Sequence, residues 1–95
     1  MLYLVTFDIT SPEYDWQAAI DIYNKIKTLG NDYRVILDKV VLIYSEQPLD
    51  IEAINAEFIK TINTQYNLFI AEINPNNVDG WLVKSSWDFV KKYRQ

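Results

Sequence analysis

Apolar and polar positions change period several times along this chain, and each change marks an element. Residues 2–9, Leu-Tyr-Leu-Val-Thr-Phe-Asp-Ile, are dominated by aliphatic, β-branched and aromatic side chains and predict a strand. Thr10-Ser11-Pro12 ends it, and the carboxylate of Asp15 can cap a helix behind it. Within that helix Trp16, Ala19, Ile20, Tyr23 and Ile26 recur at three- and four-residue spacing as one apolar stripe. Gly30 with Asn31 makes a C-terminal stop, because both residues tolerate left-handed dihedrals. Residues 33–38 and 39–44 then predict two antiparallel strands meeting at Asp38-Lys39. Asp50 is a second helix cap, followed by a stripe of Ile51, Ile54, Phe58 and Ile62 that ends near Asn63 or Gln65. Residues 66–73 predict a fourth strand, closed by Asn74-Pro75-Asn76-Asn77.

Strand, helix, strand, strand, helix, strand is the order of an α+β, ferredoxin-like βαββαβ sandwich. Right-handed crossovers give it a four-stranded antiparallel sheet with both helices on one face. Residues 1–95 form a single domain, with the core in 1–74 and a C-terminal strand/helix extension in 78–95. In that extension Gly80-Trp81-Leu82-Val83 predicts a short strand, and Ser85 with Asp88 predicts a capping box. Trp87, Val90 and Tyr93 form the apolar side of the last helix, and Lys91, Lys92 and Arg94 suit its negative end.

A sheet with helices on one side should carry polar residues on the other. These strands do not alternate cleanly. Leu2 and Leu4 oppose Tyr3, Val5 and Phe7; Leu68 and Ile70 oppose Phe69, Ala71 and Ile73; residues 40–43 are apolar on both sides. The short C-terminal tail cannot cover a whole face, so the expectation is a homodimer. Its predicted interface comprises Leu2, Leu4, Leu68, Ile70 and Trp81.

Composition strengthens this picture and removes several chemistries. Hydrophobic residues make up 49% of the chain and aromatics 15%, too apolar for a disordered segment. There is no cysteine and no histidine, which excludes disulfides, zinc–thiolate sites, thiol nucleophiles and Ser-His-Asp triads. Any general acid or base must then be a carboxylate, a lysine or a tyrosine. The only glycines, Gly30 and Gly80, form no phosphate-cradling loop, and Ser11, Ser45, Ser85 and Ser86 read as caps and turns. The start of the chain lacks a basic leader and no apolar run reaches the length of a membrane span, so the expected location is the cytoplasm, with no membrane contact. Net charge is −4, and Lys25, Lys27, Arg34, Lys39 and Lys60 are scattered, which weighs against general nucleic-acid binding. Trp16, Trp81 and Trp87 fit packing roles; Tyr3, Tyr33 and Tyr44 are the better candidates for stacking on bases or lining an interface.

Phe7-Asp8-Ile9 at the end of strand one, Leu37-Asp38 before strand three, and the segment Gly80-Trp-Leu-Val-Lys-Ser-Ser-Trp87-Asp88 together carry a family resemblance. In this order of elements the chain resembles the small nuclease subunit of the CRISPR adaptation complex, virulence-associated protein D, and small bacterial and phage SinR-like proteins. The resemblance implies a homodimer in a bacterial or phage defence setting, with the two Asp8 carboxylates facing each other. Asp8, the one position that carries over, would then be the catalytic residue and a ligand for Mg2+ or Mn2+; apart from the resemblance, Asp38 at the predicted turn is a candidate second metal ligand. The first helix departs from the Arg-rich helix of the CRISPR subunits, carrying Asp21, Lys25 and Lys27 instead. The resulting expectation is a non-catalytic interaction module with itself or a protein partner. The alternatives are a metal-dependent endonuclease of RNA or DNA, and an acidic inhibitor of a nucleic-acid enzyme displaying Glu13, Asp15, Asp21, Glu52 and Glu57.

Overall fold

The computed structural model of the chain describes residues 1–94. The elements run β1 (Leu2–Ile9), α1 (Trp16–Ile26), β2 (Asp32–Leu37), β3 (Val40–Tyr44), α2 (Ile51–Thr61), β4 (Tyr66–Ile73) and α3 (Lys84–Lys92). The four strands form one antiparallel sheet in the order β2-β3-β1-β4, the ferredoxin-like arrangement expected from the element order. Both predicted caps are present: Asp15 Oδ1 accepts from the Ala18 N–H at 2.9 Å and Asp50 Oδ1 from the Ala53 N–H at 3.0 Å. Among the described residues no helix is long and apolar enough to cross a membrane.

Register assigns every strand residue to a face. Tyr3 pairs with Ile43, and Val5 pairs with both Val41 and Ile70. These residues, with Phe7, Ile9 and Leu68, form the face under α1 and α2, where Ala18, Ala19, Ile22, Ile26 and Phe58 close the main core. Leu2, Leu4, Leu42 and Tyr44 point the other way, and α3 lies on them through Phe89, Val90 and Tyr93.

The buried stripe of α1 is Ala18, Ala19, Ile22 and Ile26; Trp16 is 74% exposed and Ile20 is exposed as well. Apolar residues occupy a broad arc of this helix, and the sheet takes the half centred on Ile22. Gly30 is required by close approach and not by a left-handed dihedral. A Cβ there would lie 2.5 Å from the Tyr44 carbonyl oxygen and 2.6 Å from Ile43 Cγ2. Residues 80–83 form no strand, so the extension contributes only a helix. The capping box is also absent: α3 starts after Val83, Asp88 pairs with Lys84 at 2.8 Å, and Ser85 instead accepts from Arg34 of β2.

The dimer surface expected from the sequence mixes two faces. Leu2 is buried beneath α3, with Leu4 half-buried beside it, whereas Leu68 and Ile70 pack under α1 and α2. Period-two alternation in β1 and β4 is correct for each strand alone, but antiparallel pairing sets Leu4 opposite Ala71 and Val5 opposite Ile70. The outward residues of β4 are therefore Phe69, Ala71 and Ile73. Trp81 lies apart from all of these in the loop before α3.

A latch on β2 holds α3 to the sheet. The Tyr93 hydroxyl donates to Asp32 Oδ2 at 2.5 Å, its ring stacks on Tyr44 at 3.8 Å, and Lys92 sits 3.5 Å from the same carboxylate. The hydrogen bond from Tyr93, then the Tyr33 N–H and the Lys92 ammonium, hold the Asp32 carboxyl below its ordinary value against the opposing effect of burial.

Two predictions follow from this packing. Phe58→Ala is expected to cost about 4 kcal/mol, whereas the exposed Ile20→Ala costs well under 1, read from urea midpoints at unchanged slope. For the latch, a depressed carboxyl pKa contributes stability that is complete above the unfolded value near 4 and lost as pH falls through the folded one. Asp32→Asn is therefore expected to melt below the parent by a margin that is full above about pH 5 and shrinks steadily as the pH is lowered further. A margin independent of pH would refute the role given to this carboxylate.

Candidate functional site

The residues singled out for chemistry meet at one corner of the sheet, where β1 ends and the β2–β3 hairpin turns. Asp8 is exposed at the end of β1, opposite Asn67. Asp38 and Lys39 form the hairpin turn, next to a bulge between Val35 and Leu37. Lys39 is the one non-glycine residue in the described chain with a positive φ, 57°, a conformation that side chains with a Cβ adopt at a cost. Hairpins with a bulge beside the turn favour glycine at such a position. Here the backbone is held by tertiary contacts: the Lys39 N–H donates to the Tyr23 hydroxyl at 2.6 Å, and its carbonyl accepts from the Phe7 N–H at 3.2 Å.

Tyr23 is the post of this corner. Its ring meets Phe7 edge-on at 4.9 Å, and its hydroxyl also reaches Asp38 Oδ1 at 3.4 Å. Burial pushes the phenol above its ordinary pKa, and the Asp38 carboxylate adds to the effect. Sequence reasoning placed Tyr23 in an apolar stripe and gave it no further part. A hydroxyl within an otherwise apolar stripe was the available signal.

The Lys39 side chain folds back over the turn. Its ammonium is 3.6 Å from Asp8 Oδ1 and 4.8 Å from the centre of the Tyr14 ring. Tyr14 in turn meets Trp16 edge-on at 4.5 Å. A hydrogen bond with the Tyr14 hydroxyl, then the charges of Tyr14, Asp38 and Asp8, raise the Lys39 pKa, so it stays a cation near neutral pH and cannot serve as a base.

The structure therefore brings Asp8 and Asp38 to the same corner, with the Lys39 ammonium against Asp8 and the Tyr23 hydroxyl against Asp38. Among the described residues no three His, Cys, Asp or Glu side chains gather as metal donors. A divalent ion needs several oxygen ligands, and the carboxylate best placed to supply one already faces an ammonium. Within one chain this donor set does not suit Mg2+ or Mn2+.

The other charged groups are largely engaged in packing. Lys25 pairs with Glu57 at 3.6 Å across the two helices; Asp15 and Asp50 are caps; Asp21 accepts from Gln17. Arg34, Lys84 and Lys92 are tied to Ser85, Asp88 and Asp32. The apolar surface, by contrast, is plentiful: Trp81 is 99% exposed, Ile59 67% and Phe69 64%, with Leu37 and Val83 also open.

Comparison with protein-family models, with curated proteins and with solved structures gives no match.

The left-handed turn yields its own prediction. Lys39→Gly removes the side chain and relieves the backbone, whereas Lys39→Ala removes the side chain and keeps the strain. Lys39→Gly is expected to melt about 4 °C above Lys39→Ala. Equal midpoints in thermal scans would mean that the turn carries no strain.

Proposed function

We propose that this chain is a non-catalytic interaction module that associates with itself. The observation that supports it is the apolar surface left outside both packed layers, above all Phe69, Ile59 and the fully open Trp81. Single exposed apolar side chains are ordinary, but Phe69 on β4 and Ile59 on α2 both border the same unpaired sheet edge, and clustered apolar surface marks protein-binding sites. The Lys39 corner points the same way. It offers an exposed carboxylate 3.6 Å from a protonated amine, a pair with neither a base for water nor the donors for a metal in one chain. The scattered, mostly engaged bases likewise offer no track for a phosphate backbone.

Sedimentation across a concentration series tests the reading, with a dimer expected at about 10 µM and the same mass for Asp8→Ala. RNA and DNA should remain intact in Mg2+ and Mn2+ with both proteins. Cleavage that needs the metal and disappears in Asp8→Ala would overturn the reading in favour of a nuclease. A monomer throughout the series would overturn self-association.

A further inference from the structure

The two edges of the sheet are unlike. The β2 edge is short, carries Asp32 and Arg34, and is interrupted by the bulge between Val35 and Leu37. Charge, shortness and bulges are the devices that keep an edge strand from pairing. The β4 edge has none of the structural ones. It runs eight residues in unbroken register with β1, holds no lysine or proline, and has one charge, Glu72.

The hydrogen-bonding phase of that edge follows from one contact. The Thr10 N–H donates to the Gln65 carbonyl at 2.9 Å, which makes position 65 a hydrogen-bonded partner of β1. In an antiparallel ladder such pairs alternate. Positions 67, 69, 71 and 73 therefore bond to β1, and Tyr66, Leu68, Ile70 and Glu72 turn their N–H and C=O groups to the open side. Two large apolar groups flank this open ladder. Phe69 stands on the α3 side of the sheet, and Ile59 on α2 borders a groove that it shares with Asn55, Ile62, Tyr66 and Leu68.

We propose that a second copy of this chain occupies the β4 edge, the two β4 strands pairing antiparallel about a two-fold axis at Phe69. The four-stranded sheet of each copy then joins into one of eight. This rests on the self-association proposed above and assigns its surface.

Symmetry and chemistry select both the occupant and the register. A two-fold axis normal to the sheet keeps each residue on its own face, so only residues of the same parity can lie opposite each other. Of the registers allowed, the one centred on Phe69 pairs all four outward positions: Tyr66 with Glu72 of the other copy, and Leu68 with Ile70, each in both directions. A shift by two residues either way leaves one outward position of each copy without a partner inside the strand. In the centred register no like charges meet, and the single carboxylate lies opposite a tyrosine hydroxyl. Phe69 faces its own copy at a non-hydrogen-bonded position, where side chains approach most closely. The Ile59 flanks then add apolar area on the helix side, which edge hydrogen bonds alone would lack.

The absence of cysteine makes the register directly testable. Phe69→Cys places two thiols at opposed Cα atoms about 4.5 Å apart, within disulfide reach. Asn67→Cys places them four residues out of step, about 13 Å apart along the strands, beyond it. Both sites are exposed, so neither change touches the core. Under mild oxidation Phe69→Cys is expected to convert to a reductant-sensitive dimer, and Asn67→Cys to stay largely uncrosslinked. In parallel, Phe69→Lys sets two ammonium groups face to face and should shift sedimentation toward monomer, with an unchanged circular-dichroism spectrum. If the parent is dimeric but the two cysteine variants crosslink equally, or Phe69→Cys not at all, the edge assignment is wrong and self-association stands. If the parent is monomeric at about 100 µM, both fail, and the edge is left to a strand from a different protein.

Discussion

β1 is apolar on both faces, and the rest of the fold answers that constraint. Tyr3, Val5, Phe7 and Ile9 need cover on one side and Leu2 on the other. An antiparallel strand that buries both faces must sit in the middle of its sheet and lie between two layers. The chain supplies both. The right-handed crossovers bring α1 and α2 to the odd-numbered face of β1, and the C-terminal segment returns α3 to the even-numbered one. The second layer is the thinner. It comprises one nine-residue helix held by Arg34, Asp32 and the stacked Tyr44 and Tyr93. It reaches Leu2 and Leu42 but leaves the outer face of β4 open at Phe69.

The same constraint accounts for the corner at Lys39. With β1 central, its end meets the β2–β3 turn, and the turn must accept the Phe7 N–H while leaving room for Tyr23 beneath it. A left-handed residue satisfies that geometry, and tertiary hydrogen bonds hold a lysine there where glycine would be easier. The side chain so held sets its ammonium 3.6 Å from Asp8. At this corner Asp8 thus faces an ammonium, and Asp38 accepts from the Tyr23 hydroxyl.

Local signals in the sequence were reliable wherever the chemistry was local. Asp15 and Asp50 cap because a carboxylate three residues before a free N–H does so in any helix. Strand existence in 2–9 and 66–73 likewise needs only side-chain type. Signals failed where two elements compete for a residue. Ser85 could cap α3, but Arg34 from β2 takes its hydroxyl. Trp16 and Ile20 could line the core, but the sheet selects the arc through Ile22. Residues 80–83 have strand-like composition, yet no strand pairs with them. Tyr23 showed only a hydroxyl in an apolar stripe, because its partners Asp38 and Lys39 lie 15 and 16 residues away.

The sequence by itself determined the order and kind of the elements, hence the ferredoxin-like topology, and it determined that both sheet faces would be apolar. Periodicity and capping act within a few residues, and the handedness of crossovers does the rest. Only the tertiary structure decided which residues share a face, because antiparallel register couples the parity of one strand to that of the next. That coupling separated Leu68 and Ile70 from Leu2 and Leu4, and gave Asp8 a lysine for a neighbour. It also turned the backbone of Tyr66, Leu68, Ile70 and Glu72 toward an open edge.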